Sequence, residues 1–194
     1  VRNHPSIRSA VRAERLISRI VNLFADAVFL QTWDQASFYS RRIQSKAFVV
    51  PNPVSDAFAV APPVLIERVE RIVTLGRLVH QKNHRLLIAA FAKAHARYPS
   101  LQLTIYGEGK MREDLHAQAI TCGVADAVHL PGRRDDAVNV LRENDLFVLS
   151  SDYEGFPNAL IEAMCVGLPC ISTNCPTGPG ELLKDDRGIL TPPG

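Results

Sequence analysis

Residues 72–106, IVTLGRLVHQKNHRLLIAAFAKAHARYPSLQLTIY, decide the fold of this chain. The segment begins with a run of aliphatic and β-branched residues, Ile72–Gly76, that is typical of a buried strand ending at a glycine. Apolar residues then recur at helical spacing over His84–Tyr98, and Pro99 ends that helix. A second strand is predicted over Leu101–Tyr106. A strand, a helix and a strand in this order predict a right-handed crossover between parallel strands.

The same alternation continues to the end of the sequence and predicts a doubly wound, parallel α/β sheet. Further strands are expected at Val128–Leu130, Leu146–Leu149, Leu168–Ser172 and Gly188–Leu190, and further helices at Lys110–Thr121, Asp135–Glu143 and Asn158–Val166. Sheets of this kind bind ligands outside the carboxyl ends of their strands. We therefore look for functional residues in the loops that follow the strands.

The first fifty residues predict only part of another Rossmann-like domain. Their predicted elements are a helix over Ser9–Phe24, a strand at Asp26–Leu30, a helix near Trp33–Arg41 and a strand at Ala47–Val50. Two strands and two helices are too few to close such a domain. We expect these residues to be the C-terminal tail of a second Rossmann-like domain.

The charge distribution changes at the same place. Residues 1–50 carry eight Lys or Arg against three Asp or Glu, whereas residues 51–194 carry fourteen against seventeen. Several prolines also cluster just after residue 50. We therefore expect one body in residues 1–50, an interdomain linker in 51–66 and a second body in 67–194.

The composition excludes several classes of protein. Hydrophobic residues make up 46% of the chain and charged residues 22%, which is typical of a soluble globular protein and not of a disordered chain or a coiled coil. No apolar run reaches the roughly 18 residues that a membrane-spanning helix needs. The cysteines have neither zinc nor thioredoxin spacing, and we expect reduced, buried thiols and a cytoplasmic protein. They are Cys122, Cys165, Cys170 and Cys175.

The first cluster of candidate residues is GRLVHQKN, residues 76–83, which follows the first strand of the 67–194 body. Its cations, Arg77 and Lys82, precede a helix, and an anion is favoured at a helix N-terminus. Arg77 can bind a phosphate with its forked guanidinium, and Lys82 can add a point charge. The alternative is that both are ordinary surface cations near a turn.

The second cluster follows the predicted strand Leu146–Leu149. A loop carries Glu154, and the free backbone amides before the next helix are suited to a diphosphate or sugar hydroxyls. Glu162 lies further along that helix among apolar residues, where a carboxylate is costly unless it is paired or bound to a ligand. Two vicinal hydroxyls of a ribose would satisfy it. The alternative is a solvated helix glutamate.

The third cluster is NCPTGPGE, residues 174–181, a loop of small residues that leads into a short helix. Glu181 lies in the first turn of that helix. Two interpretations stay open: a favourable interaction of Glu181 with the helix dipole, or a wall of a sugar pocket.

Three segments of the sequence, GRLVHQKNH (76–84), EGFPNALIEAM (154–164) and CPTGPGELL (175–183), resemble the GT4 family of retaining, nucleotide-sugar-dependent glycosyltransferases, which have the GT-B fold. The second contains the paired glutamates of that family, eight positions apart. The resemblance covers nearly the whole chain. It implies that residues 67–194 form most of a C-terminal donor-binding domain without its last helix. It also implies that residues 1–50 are the end of the N-terminal, acceptor-side domain, so that the chain is a fragment.

The resemblance also implies roles for individual residues. Arg77 and Lys82 would hold the diphosphate, Glu154 would contact hydroxyls of the donor sugar, and Glu162 would contact the ribose. No metal is expected. The expected catalytic residues are Glu154, Arg77 and Lys82. The expected donor-binding residues are Gly76, Arg77, Lys82, Gly107, Leu130, Pro131, Gly132, Glu154, Gly155, Phe156, Pro157, Asn158, Ala159, Leu160 and Glu162, with the base near residues 130–132.

The function implied by the resemblance is transfer of a hexose or N-acetylhexosamine from a nucleotide sugar to a glycan or lipid-linked acceptor in bacterial glycan biosynthesis. A UDP-sugar is expected and a GDP-sugar is the alternative. Two other functions stay open: a GT-B nucleotide-sugar epimerase, and a fragment that binds the donor without transferring it.

A basic surface is predicted near the start of the chain, because Arg8, Arg12, Arg15 and Arg19 share one helix face. One hypothesis is peripheral contact with the inner face of the membrane or with a lipid diphosphate. The alternative is a solvated helix face. Nucleic-acid binding is not expected, because aromatic residues do not interleave with these arginines.

Overall fold

Parallel strands form two sheets in residues 24–59 and 64–193, the part of the chain that the computed structural model describes. The strands are β1 (Val28–Leu30), β2 (Ala47–Val49), β3 (Arg71–Leu75), β4 (Gln102–Tyr106), β5 (Val128–Gly132), β6 (Leu146–Leu149), β7 (Cys170–Thr173) and β8 (Ile189–Thr191). β1 pairs with β2, and the other strands form a six-stranded sheet in the order β5-β4-β3-β6-β7-β8. Each neighbouring pair is parallel.

Helices connect these strands. They are α1 (Trp33–Ala36), α2 (Arg41–Gln44), α3 (Asp56–Ala59), α4 (His84–Arg97), α5 (Arg112–Thr121), α6 (Ala137–Arg142), α7 (Asn158–Cys165) and α8 (Pro179–Leu182), with 3₁₀ turns at His80–Lys82 and Ala125–Ala127. None of the described helices is both long enough and apolar enough to span a bilayer.

The six-stranded sheet is buried on both faces, as the sequence predicts. Successive side chains of a strand point to opposite faces. In β3, Ile72 packs into a cluster with Ile88 and Leu103, whereas its neighbour Val73 packs into a second cluster with Leu160. The doubly wound, parallel α/β prediction is therefore confirmed.

The strand order reverses next to β3. The chain passes from β3 outward to β4 and β5, and then returns to place β6 on the other side of β3. Such a reversal opens a crevice at the carboxyl ends of the two central strands, where ligands bind in sheets of this kind. The loops that follow β3 and β6 flank this crevice, and they carry the first and second candidate clusters.

The structure differs from the sequence prediction near residue 35. One helix was expected near Trp33–Arg41, but the chain forms two short helices, α1 and α2. The side chain of Gln44 donates to the carbonyls of Ala36 (3.0 Å) and Tyr39 (2.8 Å). The two carbonyls lie at the end of α1 and in the segment before α2. In a continuous helix they would accept from backbone amides, so their bonds to Gln44 stabilise the break.

The described residues of the predicted linker, 51–59 and 64–66, include α3 and pack against the six-stranded sheet. Phe58 is 6% exposed and lies in the same cluster as Val73 and Leu160. The amide of Val64 donates to the carbonyl of Val166 at 2.9 Å. The position of the domain boundary stays a prediction.

Two predictions concern residues outside the described part of the chain. The predicted helix Ser9–Phe24 lies there except for its last residue. The basic face formed by Arg8, Arg12, Arg15 and Arg19 lies there entirely.

Candidate functional site

Glycines hold the carboxyl ends of β3, β4 and β5 close together. The amide of Gly76 donates to the carbonyl of Tyr106 (3.0 Å), and the amide of Gly107 donates to the carbonyl of Gly132 (2.9 Å). Gly107 has φ +147°, and a Cβ there would lie 1.8 Å from the carbonyl oxygen of Gly76. Only glycine fits this approach, which brings three predicted donor-binding positions to one edge of the sheet.

Lys82 and Glu154 form an ion pair across the crevice. Lys82 ends the 3₁₀ turn after β3, and Glu154 lies in the loop after β6. Lys82 Nζ is 2.7 Å from Glu154 Oε1, and the two side chains are 15% and 5% exposed. The structure therefore joins two of the expected catalytic residues directly, which the sequence did not predict.

Ser151 holds the same carboxylate and was missed in the sequence. Its hydroxyl donates to Glu154 Oε1 at 2.5 Å, and the residue is fully buried. The carbonyl of Ser151 in turn accepts from Thr173 Oγ1 at 2.6 Å. Lys82 and Ser151 both donate to Oε1 of Glu154, and neither of these bonds uses Oε2.

The loops after β3 and β6 are joined by further hydrogen bonds. Gln81 Nε2 donates to the carbonyl of Tyr153 (2.9 Å), and its own carbonyl accepts from the amide of Asp152 (2.9 Å). Ser150 Oγ donates to the carbonyl of Lys82 at 2.9 Å. Lys82 and Glu154 are therefore held on two loops whose relative position is fixed.

Arg77, the other expected phosphate ligand, follows β3 and has an exposed side chain. Its carbonyl is 3.3 Å from Nε2 of the buried His84. Burial lowers the pKa of His84 to about 4. The positive charge of Lys82 also lowers this pKa, whereas the bond to the Arg77 carbonyl raises it. The neutral His84 thus anchors the backbone beside Arg77 without adding charge to the site.

Glu162 lies in the middle of α7 and is half-buried, as the sequence suggested. Burial raises the pKa of its carboxyl group. The charged form of Glu162 is therefore less favourable in the folded chain than in water, and hydroxyl donors from a ligand would offset that cost.

Residues 130–132, where the base is expected, lie at the end of β5 and are held by Arg112. Arg112 Nη1 donates to the carbonyl of Leu130 at 2.7 Å, and Nη2 binds Glu108 Oε1 at 2.8 Å. Arg112 and its partner Glu108 both lie in the region that follows β4. Arg112 and Glu108 were not among the residues predicted from the sequence.

The third cluster contacts the N-terminal segment. Glu181 Oε2 accepts from the amide of Asp34 in α1 at 3.2 Å, and Asp34 Oδ2 accepts from the amide of Gly178 at 3.4 Å. The Glu181 carboxylate therefore binds a backbone amide in the first turn of α1, a contact that neither interpretation of Glu181 included.

The remaining predicted positions, residues 155–160, follow Glu154 and lead into α7. The helix begins at Asn158, as predicted, and Leu160 lies in the core with no exposure. The assignment of all these residues to a donor stays a prediction.

The family model of glycosyl transferases group 1 matches residues 56–194. Over 208 aligned positions the chain is 31% identical to an uncharacterized glycosyltransferase of Methanocaldococcus jannaschii, with 97% of this chain and 50% of that protein covered. The chain thus spans about half the length of the curated relatives that it matches most extensively.

Solved structures confirm the GT-B type of fold. The apo form of the lipopolysaccharide outer core galactosyltransferase WaaB superposes with a TM-score of 0.73 at 28% identity, over 89% of this chain and 50% of that one. Anabaena HepE, solved in complex with UDP-glucose, superposes with a TM-score of 0.80 at 20% identity, over 99% and 57%. On the sequence match, the chain belongs to the family of glycosyl transferases group 1.

Proposed function

We propose that this chain carries the donor-binding half of a retaining glycosyltransferase that uses a UDP-sugar and contributes to bacterial glycan or lipopolysaccharide assembly. The observation that carries the proposal is the Lys82–Glu154 pair at the reversal of strand order, 2.7 Å between Nζ and Oε1. The similarity to the lipopolysaccharide galactosyltransferase WaaB supports a role in glycan assembly, and the UDP-glucose bound by HepE supports a UDP-sugar donor.

The reaction breaks the bond between the anomeric carbon and the diphosphate oxygen. Negative charge accumulates on the departing diphosphate, so that preorganised positive groups lower the barrier. A lysine ammonium has three N–H donors. Lys82 uses one for Glu154, which leaves the others for phosphate oxygens, and the exposed Arg77 adds a forked donor.

Glu154 and Glu162 have different proposed tasks. Glu154 is held through Oε1, and its Oε2 is proposed to accept from hydroxyls of the donor sugar. Glu162, whose pKa is raised by burial, is proposed to accept from the ribose hydroxyls. The acceptor is proposed to be a glycan or a lipid-linked sugar that attacks from the face that the diphosphate leaves. The sugar then keeps its anomeric configuration.

Calorimetric titration with UDP, GDP and UDP-glucose tests the donor assignment. UDP should bind more tightly than GDP. Arg77→Ala should weaken UDP binding about tenfold, because a charge-assisted hydrogen bond is lost, and should leave thermal stability unchanged. Arg85→Ala, which removes an exposed arginine of α4, is the matched control.

The glutamate variants separate the nucleoside from the sugar. Glu162→Gln should weaken binding of UDP itself, whereas Glu154→Gln should weaken UDP-glucose more than UDP. The transfer reaction is tested with UDP-glucose and a lipid-linked acceptor, and NMR of the product reports the anomer. A chain that binds neither nucleotide, or equal UDP affinity in Arg77→Ala and wild type, would contradict the proposal.

A further inference from the structure

Gln35 reaches from the N-terminal segment to the loop that carries Glu154. It lies in α1 and is 6% exposed. Its Nε2 donates to the carbonyl of Gly155 at 2.5 Å, and its Oε1 accepts from the amide of Gln31 at 2.9 Å. Because both ends of the side-chain amide are bonded, Gln35 is fixed between the two segments.

Thr177, from the loop after β7, binds the same stretch of backbone. Its hydroxyl donates to the carbonyls of Gly155 (3.0 Å) and Glu154 (3.2 Å), and its amide donates to the carbonyl of Glu154 (3.1 Å). Thr177 is 1% exposed. Two successive carbonyls, those of Glu154 and Gly155, are therefore held on one side of the loop.

The orientation of these carbonyls fixes the orientation of two amides. In a trans peptide the C=O and the N–H point in opposite directions. The N–H groups of Gly155 and Phe156 therefore point away from Thr177 and Gln35. Within residues 24–59 and 64–193, neither N–H donates a hydrogen bond to a protein acceptor.

The strand order shows which side that is. β6 lies between β7 and β3. The loop after β6 therefore has the loop after β7, with Thr177, on one side and the loop after β3 on the other. That loop carries Lys82. A ligand oxygen on that side would meet two adjacent N–H groups ahead of α7, and a negative charge on it would be favoured by Lys82 and by the start of the helix.

We propose that Gln35 is a positioning residue for the donor. By holding the carbonyl of Gly155, with Thr177, it fixes the Gly155–Phe156 peptide so that the Phe156 N–H donates to a diphosphate oxygen of the nucleotide sugar. The inference rests on the proposed function of this site. Because Gln35 lies in the first fifty residues, its bond to Gly155 also links the N-terminal segment to the loop that carries Glu154.

Gln35→Leu tests the link, with Gln44→Leu as the matched control. Gln44 is also a glutamine of the N-terminal segment that donates to backbone carbonyls, but its partners are Ala36 and Tyr39. Gln35→Leu should weaken UDP and UDP-glucose about three- to tenfold, the usual effect of one hydrogen bond. Gln44→Leu should leave both affinities unchanged.

Thr177 supplies a second pair of variants that does not depend on the folding of Gln35→Leu. Thr177→Val removes the hydroxyl and should weaken nucleotide binding to a similar extent. Thr177→Ser keeps the hydroxyl and should restore it. Because Gln35 and Thr177 hold one carbonyl, the double variant should be non-additive.

NMR relaxation dispersion of the ligand-free chain reports the peptide itself. Gln35→Leu should broaden the Phe156 amide by exchange on the microsecond-to-millisecond scale, whereas Gln44→Leu should not. Wild-type affinity together with an unbroadened Phe156 amide in Gln35→Leu would overturn the inference and leave the proposed function intact. A wild-type chain that binds neither UDP nor UDP-glucose would overturn both.

Discussion

Replacing Lys82 by methionine should destabilise the chain, because it leaves the Glu154 carboxylate buried without its cation. The Glu154 side chain is 5% exposed and that of Lys82 is 15% exposed, with 2.7 Å between the charged atoms. Removing one partner of a buried pair costs about 3–5 kcal/mol. Ser151 still donates to Glu154 Oε1 and Lys82 is slightly exposed, so we expect about 3 kcal/mol.

Urea unfolding followed by circular dichroism measures this loss. For a chain of this length, about 3 kcal/mol corresponds to a fall in Tm of about 6–12 °C. Arg133→Met is the matched control. It removes one partner of the Arg133–Asp135 pair, whose side chains are 78% and 87% exposed. Water screens that pair, so that the control should have wild-type stability.

The double variant Lys82→Met/Glu154→Gln decides whether the pair itself is responsible. Glutamine can still accept from Ser151, and no buried charge remains. The double variant should therefore be within about 1 kcal/mol of wild type, a coupling of about 2 kcal/mol or more. Losses that add in the double variant, or a loss below about 1 kcal/mol in Lys82→Met, would refute the reasoning.

Two further predictions concern the backbone near the site and the pH dependence of folding. Gly107→Ala should cost at least about 3 kcal/mol, because the new Cβ would overlap the Gly76 carbonyl, whereas Gly123→Ala, with φ +70° and open space, should cost about 1–2 kcal/mol. Denaturant titrations compare the two, and equal losses would contradict the packing argument. His84 has a pKa of about 4 in the folded chain and about 6.5 unfolded, so that the unfolded chain takes the proton first as pH falls. Between about pH 7.5 and about pH 5 this should remove about 2 kcal/mol of stability. His84→Phe should lack this part of the pH dependence, and an unchanged slope would count against the burial of a neutral histidine.

The sheet could be predicted because both faces of its strands are buried. Adjacent residues such as Ile72 and Val73 are then both apolar, and the run stands out against the helical spacing of α4. The break between α1 and α2 could not be predicted in the same way. It depends on the side chain of Gln44 reaching back to two carbonyls, which no periodicity reports.

The site was predicted in its residue types and not in its contacts. Lys82 and Glu154 each follow a strand, and this placement suggested a common edge. Their direct pairing spans 72 positions and depends on β6 lying beside β3, which the sequence order does not give. Ser151 had a weak signal, a small hydroxyl residue three positions before Glu154. Gln35 had none, because it belongs to the other predicted body.

The Lys82–Glu154 pair explains how one site can recognise two chemically different parts of a donor. A lysine or a glutamate whose side chain is not held by neighbours can turn towards solvent or pair with another ion. Here Ser151 and Lys82 together occupy Glu154 Oε1, so that the carboxylate presents Oε2 in a fixed direction. The remaining N–H groups of Lys82 are fixed by the same bond. Under the proposed function, this ion pair fixes the distance between the sugar contact of Glu154 and the diphosphate contact of Lys82. A donor with the correct diphosphate but a displaced sugar therefore cannot satisfy both groups.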